Sequence, residues 1–133
     1  MGVNSGQARI DKHGEAFTPD SITNRMLDML RPDAWDPTKT FLDPACGDGN
    51  MLCVFLRRKL SLAHDPIMAL NAVYGADIHQ DNIDAARFRL LQIVADYIGP
   101  DQRDLAMEVV RHNVFVVRDT LTFDWSAYKT FLP

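Results

Sequence analysis

Hydrophobic and polar positions along this chain follow two rhythms: short apolar runs, and longer stretches in which apolar residues return at helical spacing. Residues 1–13 follow neither, contain Gly2 and Gly6, and are expected to form a flexible N-terminal arm. A helix is expected from Thr18-Pro19-Asp20 onward. Thr18 suits the N-cap, and Pro19 suits the first helical position, where a missing N–H is no loss. Ile22, Met26, Leu27 and Leu30 would share its apolar face, and Arg31-Pro32 would stop it. Thr40-Phe41-Leu42 reads as a short buried strand, followed by a helix over Asn50 to Leu60 with Met51, Val54 and Phe55 on its apolar side. Asn71 to Ala76 reads as a second strand, ending at Asp77. The clearest amphipathic helix runs from Asp81 to Ile98, where Ile83, Ala86, Leu90, Leu91, Val94 and Ile98 recur and Gly99-Pro100 closes it. A weaker helix is expected over Gln102 to Val110. Val114 to Val117 forms a third strand ending at Asp119, and the aromatic-rich tail shows no sustained period.

Strand, helix, strand, helix, strand is an α/β pattern, expected to build part of a doubly wound parallel sheet with flanking helices. In such sheets, ligands sit beyond the carboxyl ends of the strands, so the turns after the three strands are where chemistry is sought. The turn after the first strand is Asp43-Pro44-Ala45-Cys46-Gly47-Asp48-Gly49-Asn50. Two glycines let the backbone approach a ligand, and the helix behind offers unpaired N–H groups. A dinucleotide loop would want a third glycine, and a P-loop would want Gly-Lys-Ser/Thr; neither is present. Asp43 would repel a pyrophosphate and attract an amine, which favours a cationic or amine-bearing nucleoside. A tight strand-to-helix connection with no ligand is the plainer alternative. Asp77 is placed either to accept from ribose hydroxyls or to cap the following helix. Ile78 offers an apolar face to a purine, and Asp119 can accept from an exocyclic amine.

Composition narrows the picture. The chain has 133 residues, 47% of them apolar and 24% charged, which fits one small globular domain and argues against disorder. No apolar run approaches the roughly eighteen residues of a membrane span, and the first fifteen residues are too polar for a signal peptide. Two cysteines, Cys46 and Cys53, are too few for a disulfide scaffold, so a cytoplasmic setting is expected. With 14 basic and 18 acidic residues, the net charge of −4 is a poor basis for gripping DNA unaided. His13, His64, His79 and His112 have no metal-ligand spacing, so no metal is expected. Arg57, Arg58 and Lys59 read as a solvated helix terminus.

The residues also resemble a known family. Asp43 to Asn50 is similar to motif I of class I S-adenosylmethionine (SAM)-dependent methyltransferases, in the form found in DNA adenine-N6 methyltransferases. Gly14-Glu-Ala-Phe-Thr-Pro19 resembles the element that precedes motif I in that group. Tyr74-Gly-Ala-Asp77-Ile78 resembles motif II, and Asn113 to Asp119 resembles motif III. The resemblance covers about residues 14 to 121. It implies a Rossmann-like fold over residues 14–133, with SAM as cofactor. The cofactor-binding residues it implies are Phe17, Thr18, Pro19, Asp43, Pro44, Ala45, Cys46, Gly47, Gly49, Asn50, Asp77, Ile78 and Asp119. Thr18 and the turn Ala45 to Gly49 would hold the methionine end, Asp43 the amino group, Asp77 the ribose and Asp119 the adenine amine. Asp48 departs from the group, which usually has a small residue there.

The group's catalytic tetrapeptide, Asn/Asp-Pro-Pro-Tyr/Phe, does not occur in the sequence, so no catalytic residue is assigned. The expected domain would stop before or at the fourth strand and would reach DNA only through a missing segment or a partner. The first strand would then be an open edge, covered by the tail from Trp125 to Leu132 or by a second chain, including a second copy. Alternatives are a silent SAM-binding or sequestering protein, of a kind a phage could encode, acting on restriction-modification, or an enzyme that cleaves SAM.

Overall fold

The computed structural model describes residues 20–127. The expected N-terminal arm, the implied site residues Phe17, Thr18 and Pro19, and the tail from Tyr128 onward lie outside them. The described elements, in chain order, are α1 (Asp20–Asp28), a 3-10 turn (Pro32–Trp35), β1 (Phe41–Asp43), α2 (Asn50–Ser61), α3 (Pro66–Asn71) and β2 (Val73–Asp77). After these come α4 (Gln80–Ala95), a 3-10 turn (Pro100–Gln102), α5 (Arg103–Asn113), β3 (Val114–Val116) and a 3-10 turn (Trp125–Ala127).

The three strands form a parallel sheet in the order β1-β2-β3, flanked by the helices. Register pairs Asp43 with Gly75, and Asp77 with Val116. Strand β2 is therefore central, and every residue in it is buried. Side chains alternate across the sheet. Phe41 turns toward the helices, where it stacks on Phe55 of α2 with ring centroids 4.5 Å apart; Trp35 stacks on Phe55 as well, at 4.9 Å. Leu42, on the opposite face, is exposed. Among the described residues no strand pairs with the outer side of β1.

The core is built around α2 and α4. Leu52, Cys53, Phe55 and Leu56 of α2 and Ile83, Ala86, Leu90 and Val94 of α4 are all buried. Both cysteines are buried free thiols.

Several sequence expectations are corrected. Helix α1 buries Thr23 and Leu27, whereas Ile22, Met26 and Leu30 are exposed. The helix is rotated from the expected face because Thr23 meets a polar partner on α2: Asn50 Nδ2 donates to Thr23 Oγ1 at 3.5 Å. Asn71 belongs to α3, a short helix that the pattern did not reveal, and β2 begins at Val73. Helix α4 ends at Ala95 rather than Ile98, and α5 runs to Asn113 rather than Val110.

The basic end of α2 is solvated only at Arg57. Arg58 Nη1 pairs with Asp28 at 2.9 Å, its Nη2 donates to Asn24 Oδ1 at 2.8 Å, and its guanidinium lies over Trp35. Lys59 has no exposed surface; its Nζ donates to the Asp36 carbonyl at 3.3 Å and lies 3.5 Å from His64 Nδ1. Burial pushes the Lys59 ammonium below the usual lysine range. The tail does not reach β1 as far as it is described. Trp125 packs on Phe123 and on Phe115 of β3, at the opposite edge of the sheet.

Candidate functional site

The carboxyl ends of β1 and β2 are stitched together by the glycine turn. Past Asp43, the Cys46 N–H donates to the Ala76 carbonyl at 2.9 Å, which ties the turn to the central strand. Gly47 then adopts φ +55°, and its N–H donates to Asp77 Oδ1 at 3.3 Å. Gly49, at φ +89°, caps the N-terminus of α2, and its N–H donates to the Cys46 carbonyl at 2.9 Å. Positive φ at two positions explains the glycines locally. Packing explains Gly49 a second time, since a Cβ there would lie 2.8 Å from the Ala86 Cβ of α4. On β2, a Cβ at Gly75 would lie 2.5 Å from Leu52 and 3.1 Å from Cys46 Sγ, so the turn can sit directly on the central strand.

Two carboxylates flank this turn. Asp43 is half-buried, and its Oδ1 accepts from the Ala45 N–H at 3.1 Å. Burial holds its carboxyl above the ordinary range; the Ala45 hydrogen bond opposes that shift and the neighbouring Asp77 charge adds to it. Asp77 is buried and anchored on three sides. Besides Gly47, its Oδ2 accepts from the His79 N–H at 3.1 Å and from Asn82 Nδ2 at 3.0 Å. One carboxylate thus ties the glycine turn to the start of α4. Among the described residues no basic side chain forms an ion pair with Asp43 or Asp77. Two neighbouring carboxylates without a cation between them make the mouth of the turn a place for a positively charged group. Burial, with the two acids nearby, pushes the Cys46 thiol far above its usual range, so it stays protonated and chemically quiet.

The remaining positions differ in kind. Pro44, Ala45 and Ile78 are exposed around the mouth, and Asn50 opens α2 with its side chain between Thr23 and Arg89. Asp119 lies beyond the end of β3, because the strand stops at Val116. It is exposed, and its Oδ1 accepts from the Leu121 N–H at 2.9 Å in a turn of its own. The structure thus brings together Asp43, the glycine turn and Asp77, and gives Asp119 a separate local setting. Sequence reasoning missed Asn82 and Arg89. An amide in the first turn after a strand-end acid is a readable signal for Asn82. Arg89, one turn after Ala86 on an amphipathic helix, gave none.

Comparison with known proteins comes to one finding. The sequence model of a family described as N-6 DNA Methylase matches residues 4–97, well over half the chain and including the glycine turn and Asp77. No curated protein and no solved structure matches. No helix among the described residues is long and apolar enough to cross a membrane.

Proposed function

This chain belongs to the N-6 DNA methylase family, and from that premise we propose that it binds S-adenosylmethionine at the carboxyl ends of its strands, as the cofactor site for adenine-N6 methylation of DNA. The observation that carries this reading is the half-buried Asp43 beside Asp77, two acids at the mouth of a glycine turn that form no ion pair with a cation among the described residues. SAM supplies the methyl group and presents both an ammonium and a sulfonium.

The parts proposed for the described residues fit their surroundings. Asp43 faces the ligand's ammonium, whose charge lowers the cost of ionising the half-buried carboxyl. Gly47 and Gly49 let the methionine portion approach the backbone, with Pro44, Ala45, Cys46 and Asn50 shaping the turn. Asp77 accepts from the ribose hydroxyls while Asn82 and the Gly47 N–H hold it in place. Ile78, more than half exposed, lies against the purine. Asp119 accepts from the adenine amine, and the family resemblance assigns Phe17, Thr18 and Pro19, outside the described residues, to the methionine end. Orienting the target amine falls to groups outside this set, because the sequence has no Asn/Asp-Pro-Pro-Tyr/Phe. We therefore assign target positioning and DNA reading to a partner or a further segment, and the outer side of β1, which no described strand pairs, is a place for a second chain to join.

Calorimetric titration with SAM tests the reading. Saturable binding below millimolar ligand, lost in Asp77→Ala, is expected; no binding at millimolar SAM overturns it. Adenine methylation of DNA by this chain alone would overturn the assignment of target positioning elsewhere.

A further inference from the structure

One side chain of the glycine turn has no part in the site described above. Asp48 stands between Gly47 and Gly49, and only 4% of it is exposed. Left to itself, its charge would lie within the same turn that receives the ligand's amino-acid end. Arg89 of α4 takes hold of it. Arg89 Nη1 lies 3.2 Å from Asp48 Oδ1 and also donates to the Asp48 carbonyl at 3.2 Å. Its Nη2 donates to Asn50 Oδ1 at 3.3 Å, and Asn50 reaches on to Thr23 of α1.

One guanidinium therefore grips the turn on both sides of Gly49. The planar fork of arginine suits this arrangement, since its donors have fixed relative directions. The close approach of α4 to Gly49 at Ala86 brings Arg89, one turn further along, within reach. A buried ion pair is by itself weak evidence for stability, because desolvation offsets much of the attraction. What this pair does accomplish is directional: it commits the Asp48 charge to α4.

We propose that Arg89 is a positioning residue that makes the turn selective for a nucleoside carrying an amino acid. By turning Asp48 onto α4 and cancelling its charge, Arg89 keeps a carboxylate out of the way of the ligand's own carboxylate. The inference rests on the reading of the turn as a SAM site. It assigns roles to Asp48 and Arg89 that the cofactor reading alone does not require.

The test compares two neutral thioethers on the full chain by calorimetry. S-adenosylhomocysteine carries the amino-acid end, and 5′-methylthioadenosine lacks it. Arg89→Met should weaken S-adenosylhomocysteine binding about tenfold or more, as expected when the Asp48 charge loses the Arg89 cation near the ligand's carboxylate. The same variant should leave 5′-methylthioadenosine within about twofold, and Asp48→Ser/Arg89→Met should recover the lost affinity. Equal losses for both ligands, or no recovery in the double variant, would reduce Arg89 to a merely structural role and overturn the proposal. Asp48→Ser alone, which buries no charge, covers the case in which Arg89→Met does not fold. It should bind S-adenosylhomocysteine at least as well as the parent, and a tenfold loss would mean that Asp48 itself meets the ligand, which also overturns the proposal. A parent protein that binds neither thioether nor SAM overturns the functional reading and this inference with it. Parent binding that Arg89→Met leaves unchanged overturns this inference alone.

Discussion

The turn after β1 and the turn after β3 each contain an aspartate near a strand end, yet the molecule treats them differently. The first turn is fastened across strands: Cys46 to Ala76, Gly47 to Asp77, and Asp48 to Arg89 on a distant helix. Past Val117, whose N–H donates to the Asp77 carbonyl at 3.0 Å, the hydrogen bonds of the second turn among the described residues are local, with Asp119 Oδ1 accepting from the Leu121 N–H and its carbonyl from the Phe123 N–H. Polar groups recruited from separate elements give fixed geometry, as a ligand site requires. A local turn satisfies its own backbone and gives little information about a partner. An acid at a strand end thus becomes strong evidence for a site only when other elements hold it in place.

The contrast can be broken most sharply at Gly49. Gly49→Ala should cost about 2–4 kcal/mol, combining positive φ with a methyl group pressed onto Ala86. Urea denaturation reads this directly, and a loss below about 1 kcal/mol would mean that α4 yields easily there. Asp77→Ala comes next. It strands the Gly47 N–H and removes the anchor of Asn82, so a loss of about 1–3 kcal/mol is expected in the same assay. Unchanged stability would show that the cross-strand fastening contributes nothing.

A pH titration gives a smaller effect with a defined sign. Asp43's carboxyl is raised in the folded state by burial and Asp77, so the fold binds that proton more tightly than the unfolded chain does. Its contribution is present below the ordinary carboxyl pKa and is lost as pH rises through the raised one. Asp43→Asn should flatten that part of the stability profile, and an identical profile in both proteins would contradict the assignment. Asp119→Ala should have the smallest effect on stability, within about 0.5 kcal/mol, because its turn is exposed and local. A loss as large as that of Asp77→Ala would erase the distinction between the two turns.

Much of the β1–β2 end was legible because its signals are local. Glycines at positive φ directly precede the helix start at Asn50, and the apolar run of β2 leads directly into Asp77, so each signal is contained in a few consecutive residues. The amphipathic helix around Ala86 and Leu90 was legible for the same reason. What failed depended on partners distant in the chain. Thr23 displaced Ile22, Met26 and Leu30 from the buried face of α1 because of Asn50 on another helix. Lys59 is buried because the Asp36 carbonyl, His64 and the Phe55 ring surround it, and nothing in the run Arg57-Arg58-Lys59 distinguishes it from its neighbours. The end of β3 was placed too late because the apolar run continues to Val117 after pairing with β2 has stopped at Val116. Arg89 shows the same limit at the site, since its partners precede it by about forty residues.

The most direct measurement is a nitrogen-15 NMR titration of the chain with SAM. The account predicts saturable shifts that begin at the Gly47, Gly49 and Ile78 amides, reach the Asp119 turn, and spread little beyond the carboxyl ends of the three strands. Shifts confined to other surfaces, or none at millimolar SAM, would contradict it.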